Sequence, residues 1–340
     1  MARWSSMAAV CLAFLLASCA AEDAPAQQVS WRAFQPASGV VDLAGPRSDG
    51  RLVAAVGGGL QLYNGAGLTP FTSATGAGAY VPSAGEPYLA LTPKVRLPKA
   101  HCSFHRDDVF AIGANPNRIV RITRSGAASD FATVPSPFLS AITFDRVGSF
   151  GNRLLVIGVA SDQSTLFAID CRGRVRAVTG HGPHVEGGIE VAPRSFGSFG
   201  GRLLGLDELH GRIYAFNPGG KVATVAVPGI PSGPDIGVEA LGFVPRLKAN
   251  GAAFLADRGA QPGTHPGSDA ILRLSAAELR SAGVGAGDLL VAAEGGGETV
   301  AVRCRKGKGC DVRRIGQALP ATHAEGHIAF LGVRRPARRR

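Results

Sequence analysis

The stretch His184-Val-Glu-Gly-Gly-Ile-Glu-Val-Ala-Pro-Arg194 decides the fold, because versions of it return along the chain. Gly85-Glu86-Pro-Tyr-Leu-Ala-Leu-Thr-Pro93 precedes it. Val238-Glu239-Ala-Leu-Gly-Phe-Val-Pro-Arg246 and Ala324-Glu325-Gly-His-Ile-Ala-Phe330 follow. Weaker copies stand at Val41-Asp42-Leu-Ala-Gly-Pro46 and Ser140-Ala-Ile-Thr-Phe-Asp145. Successive copies lie roughly 45 to 54 residues apart, with one gap near twice that, and such a period marks a repeat architecture.

Each copy leads the same series of short apolar runs. After the copy at Glu186 come Arg202-Leu-Leu-Gly-Leu206, Arg212-Ile-Tyr-Ala-Phe216 and Val222-Ala-Thr-Val-Ala-Val227. Runs this short and rich in β-branched residues read as strands, and Asn217-Pro-Gly-Gly between the last two supplies a tight turn. Four antiparallel strands per repeat predict an all-β chain folded as a β-propeller, with six blades, or seven if residues 270–293 divide differently. A β-sandwich would share the short strands but not the returning leader. The run from Val29 resembles the last strand of a blade and is expected to close the ring. The double-length gap is read as partly an insertion, the loop over residues 258–268. Leu289–Ala293, Glu298–Val302 and Asp311–Ile315 are then expected to form a further blade. Ser275-Ala-Ala-Glu-Leu-Arg-Ser281 is the one candidate helix.

The ends of the chain read differently. Arg3, the apolar run Met7–Leu16 and Leu16-Ala-Ser-Cys19 together resemble the signal segment and lipobox of bacterial lipoproteins. That resemblance implies acylation of Cys19, a membrane partner through the lipid, and, with Ala20 following, the outer membrane facing the periplasm. The alternative is an ordinary secretory signal cleaved at Ala20 or Ala21. The expected organisation is a signal peptide over 1–18, a polar tether over 19–28, one propeller over 29–333 and a basic tail over 334–340. The formal net charge is +11, and eleven Lys or Arg against Asp311 and Glu325 crowd the stretch from Arg303 to Arg340. A charge confined to one end, on an exported chain, excludes nucleic acid as the partner. Its 47 Gly and 22 Pro suit a turn-rich all-β domain.

Four cysteines lie in the propeller. Cys304-Arg-Lys-Gly-Lys-Gly-Cys310 sets two of them across a glycine-rich hairpin turn, so a Cys304–Cys310 disulfide is expected. Cys102 and Cys171 are the pair left over, with nothing local to support it.

The Glu-led four-strand repeat resembles the six-bladed propellers of the senescence-marker/gluconolactonase, NHL-repeat and soluble quinoprotein sugar dehydrogenase type. In such propellers the innermost strands line a central channel with ligands or metals at its mouth. That resemblance puts Glu86, Glu186, Glu239 and Glu325 around one axis. His184 and His323 stand two residues before two of them, on the same face of the strand. Carboxylates with imidazoles on an axis suit Ca²⁺ or another divalent metal. The other reading is that the acids accept backbone hydrogen bonds between blades. No Gly-x-Ser-x-Gly, phosphate loop or His-Glu-x-x-His occurs. A binding or scaffold module for a protein or glycan partner therefore leads. A metal-dependent hydrolase of lactonase or esterase type comes second, and a quinone-cofactor sugar dehydrogenase third.

Overall fold

The computed structural model describes residues 28–71, 86–113, 115, 117–261, 263–317, 319 and 322–334. The expected signal peptide, Cys19, the tether up to residue 27 and the tail from residue 335 lie outside them.

The chain is all-β, arranged as a propeller. Residues 42–70, 89–133, 138–182 and 186–226 each form a four-stranded antiparallel sheet, the second carrying an extra hairpin of Val95–Leu97 and Cys102–Phe104. The remaining strands make one eight-stranded sheet whose two halves meet at a single parallel pair, Leu241 with His327. Counting each half as a blade gives six.

Burial falls from the axis outwards. In the fourth blade the second strand, Leu203–Asp207, is buried throughout, whereas the outermost, Val222–Ala226, is only half-buried. Strands covered on both faces read as continuous apolar runs, which is why the inner strands were the most legible. Among the described residues the buried apolar side chains group into six clusters, one between each pair of neighbouring blades. Phe110 and Ile142 pack between the second and third blades, and Ile157 and Phe216 between the third and fourth. Leu43, Tyr63, Phe254 and Ile271 seal the first blade against the last. Six interfaces in cyclic order close the ring.

Two features differ from the sequence reading. The double-length gap is an exchange of strands between two blades. Val238–Phe243 opens the fifth blade, but the chain then leaves to build Leu247–Asp257 and Ala270–Ser275 of the sixth. After the helix Ala276–Ser281, capped by Ser275, it returns as Leu289–Ala293, Thr299–Arg305 and Gly309–Gly316. These three runs therefore complete the blade led by Glu239 instead of forming a further one. The last strand, Ala324–Val333, is the innermost of the sixth blade. Strands adjacent in sequence are here not adjacent in one sheet, so the linear order of runs does not give the blade.

Ring closure follows expectation. Arg32–Pro36 pairs antiparallel with Ala270–Ser275 as the outer strand of the sixth blade. Just before it, Val29 bridges to Gly316 in the fifth, and buried Trp31 donates from Nε1 to Thr299 Oγ1 at 2.8 Å. Both disulfides form. Cys304–Cys310 staples the hairpin with Cα atoms 4.0 Å apart, and Cys102–Cys171 ties the extra hairpin of the second blade to a turn of the third.

Candidate functional site

Adjacent strands run antiparallel, so the start of each innermost strand and the end of its neighbour lie at the same end of the channel. Glu186, Glu239 and Glu325 occupy the first or second position of their strands, and Glu86 lies just before Leu89–Leu91. Glu208, Arg258 and Glu294 each follow immediately on the end of a second strand. Register shifts interrupt the inner strands at Ser140, between Glu186 and Glu190, and at Glu239. Bulges of this kind re-aim side chains near sites. Gly187, at φ 72°, shows the crowding: a Cβ there would lie 2.2 Å from Glu239 Oε1. Only glycine tolerates both that backbone and that approach.

Three carboxyl groups converge on one phenol. The Tyr88 hydroxyl stands 3.0 Å from Glu86 Oε2, 2.7 Å from Glu239 Oε1 and 2.9 Å from Glu325 Oε2. A phenol has one hydrogen to donate, so it can serve one carboxylate. The other two must carry protons of their own or share a cation. Burial and then the charges of Glu325 and Glu186 push the Glu86 carboxyl up to about 7. Burial with Glu186 and Glu325 drives Glu239 well above the carboxylate range. Glu239 Oε2 is buried and has no hydrogen-bond partner among the described residues.

Two bases hold the rest. Arg258 Nη1 donates to Glu86 Oε1 at 2.9 Å and to Glu325 Oε1 at 3.0 Å. His323 Nε2 stands 2.8 Å from Glu294 Oε1 and 3.5 Å from Glu325 Oε1. Burial opposes its charge, but the bonds to Glu294 and Glu325 outweigh this and raise the imidazole to about 10. Glu208 is raised to about 8 by burial, then by Glu294 and Glu186. Donor atoms of Glu86, Glu239 and Glu325 all lie within 4.8 Å of one another, and so do those of Glu294, His323 and Glu325. Glu325 belongs to both sets.

Of the residues expected from sequence, Glu86, Glu239, Glu325 and His323 come together. Glu186 pairs with His184 at 3.1 Å, and its charge acts on Glu86 and Glu239. The amide-capping reading is realised as well, in a different copy. Asp42 accepts from the amides of Leu89 and His327, both at 2.7 Å, in the blades on either side of it. Tyr88, Glu208, Arg258 and Glu294 were missed. The last three share one signal, a charged residue directly after a second strand. The residues just before two of them are engaged elsewhere: Asp207 faces His210, and Asp257 accepts from the amides of Ser268 and His323.

No protein-family model and no curated protein matches the sequence. Among solved structures the chain is similar to a streptogramin B lyase, at 12% identity over 84% of this chain and 72% of that one, with a TM-score of 0.45. It is also similar to a catalytically inactive virginiamycin B lyase from Staphylococcus aureus, at 13% over 84% and 73%, TM-score 0.44. A putative gluconolactonase stands at 10% over 86% and 82%, TM-score 0.45. Likeness at this level leaves function to the residues themselves.

Proposed function

We propose that the protein is a β-propeller binding module of the bacterial cell envelope that takes up a divalent cation at the acidic mouth of its channel. The observation that carries this reading is the convergence of Glu86, Glu239 and Glu325 on the single hydroxyl of Tyr88, with Glu239 Oε2 buried and unpartnered. An all-oxygen set suits hard cations such as Ca²⁺ or Mn²⁺, and the imidazole of His323 beside Glu294 extends it toward transition metals. Bound metal would replace the protons that these acids otherwise retain. Titration calorimetry of chelator-treated protein with CaCl₂ and MnCl₂ tests this. Saturable binding that disappears in Glu239→Gln is expected, and its absence for both ions would refute the reading.

A metal-dependent hydrolase is the second reading. It is favoured by Glu86 at about 7 and Glu208 at about 8, carboxyl groups poised to exchange protons near neutrality. Cation-dependent cleavage of simple lactones or aryl esters would select it over a binding role. The envelope address rests on Leu16-Ala-Ser-Cys19 behind the short apolar run. Mass spectrometry of the mature N-terminus should find an acylated Cys19, and an unmodified terminus at Ala20 or beyond would remove the anchor.

A further inference from the structure

The opposite end of the channel holds a second, chemically different cavity. It has a volume of about 220 Å³ and lies where the innermost strands end. Leu43, Leu89, Phe144, Phe243, Phe330 and Val333 supply apolar wall, and Arg146, Glu190 and His327 supply the charge. No residue of the acidic mouth lines it.

The three charged groups are unequally occupied. His327 is spent on the protein: Nδ1 lies 3.0 Å from both oxygens of Asp42, and Nε2 lies 3.1 Å from the Ile189 carbonyl. Arg146 is not. It donates from Nη2 to the Leu91 carbonyl at 2.7 Å and makes no other hydrogen bond to the described residues, although a guanidinium has five N–H groups. Glu190 accepts from the Phe243 amide at 2.9 Å through Oε2, and Oε1 has no donor among the described residues. Arg146 and Glu190 are near enough to act on each other's charge, yet no ion pair within 4.0 Å joins them. Arg146 is exposed and Glu190 is half-buried, so a ligand entering the cavity can reach both. Two opposite charges held apart over apolar walls match a ligand that carries both.

We propose that this cavity binds a compact zwitterion, a free apolar α-amino acid, with its carboxylate on Arg146, its ammonium on Glu190 and its side chain against the phenylalanine and leucine wall. The size agrees. A cavity of about 150 Å³ encloses benzene, and drug-sized ligands take about 300 Å³ or more. The proposal does not depend on the cation site at the other mouth.

The test is calorimetric titration of the full chain with L-leucine and L-phenylalanine, beside isocaproate, which lacks the ammonium, and isoamylamine, which lacks the carboxylate. Saturable binding of at least one amino acid is expected, with both truncated analogues weaker by roughly tenfold or more. Arg146→Met and Glu190→Gln should each weaken the amino acid by a similar factor, whereas Glu239→Gln at the acidic mouth should leave it unchanged. Should Arg146→Met fail to fold, Arg146→Lys and the truncated ligands still decide. No saturable binding of either amino acid up to about 10 mM would overturn the proposal. So would isocaproate binding as tightly as leucine.

Discussion

The two ends of the channel use charge in opposite ways. At one mouth, carboxyl groups outnumber the groups that can serve them, and Glu86, Glu239 and Glu325 crowd a hydroxyl with one proton to give. At the other, charges balance: Asp42 is matched to His327, and Arg146 faces Glu190 across the cavity. A surplus of one sign calls for a counter-ion from outside, whereas balanced charges are either a finished structural contact or a template for a ligand of both signs. Repetition of an acid in sequence does not distinguish these cases. The satisfaction of its oxygens does.

The largest expected effect lies with the structural acid. Asp42→Asn should cost roughly 3–5 kcal/mol, because it takes a fully buried partner from the half-buried charge on His327 and removes an acceptor shared by two blades. Urea denaturation measures this, and a change below about 1 kcal/mol would erase the distinction between the two ends. Next comes the cation. At a hundred times its dissociation constant it should stabilise the chelator-treated protein by about 2.7 kcal/mol, seen as a rise in melting temperature that Glu239→Gln lacks.

Proton linkage gives the third effect. Glu86, Glu208 and His323 are all raised in the folded chain, to about 7, 8 and 10, from 4.5 for the acids and 6.5 for the histidine. The folded state therefore holds these protons more tightly than the unfolded state. Their stabilisation is complete below the unfolded values and is lost as pH rises through the folded ones. Metal-free protein should melt at progressively lower temperature between pH 5 and pH 9, and saturating Mn²⁺ should flatten the trend. A melting temperature that climbs with pH would contradict the crowding of acids. Smallest is the effect of Glu239→Gln on metal-free stability, within about 1 kcal/mol at neutral pH, because the folded state already favours the protonated carboxyl. A loss comparable to that of Asp42→Asn would make Glu239 structural too.

Much of this was legible in the repeat. The inner strands could be read because they are apolar throughout, and Glu86, Glu239 and Glu325 because each opens such a strand. The fates of Asp42 and Glu239 were not legible, since both hold the leading position. Asp42, one methylene shorter, stays among the amides of Leu43, Leu89 and His327, while Glu239 extends to the Tyr88 hydroxyl. Glu208, Arg258 and Glu294 were hidden because a residue just past a strand looks like any loop residue until the strand ends are fixed. The Cys102–Cys171 link depends on the docking of one blade's hairpin on the next blade, which no local spacing encodes.

The proposed cation site at the acidic mouth has a direct crystallographic readout. Crystals of the chelator-treated protein soaked in MnCl₂ test it most directly, through anomalous scattering. A peak is expected among the oxygens of Glu86, Glu239 and Glu325, lost in Glu239→Gln crystals. The same carboxyl groups gathered around Tyr88 with no peak between them at saturating Mn²⁺ would contradict it.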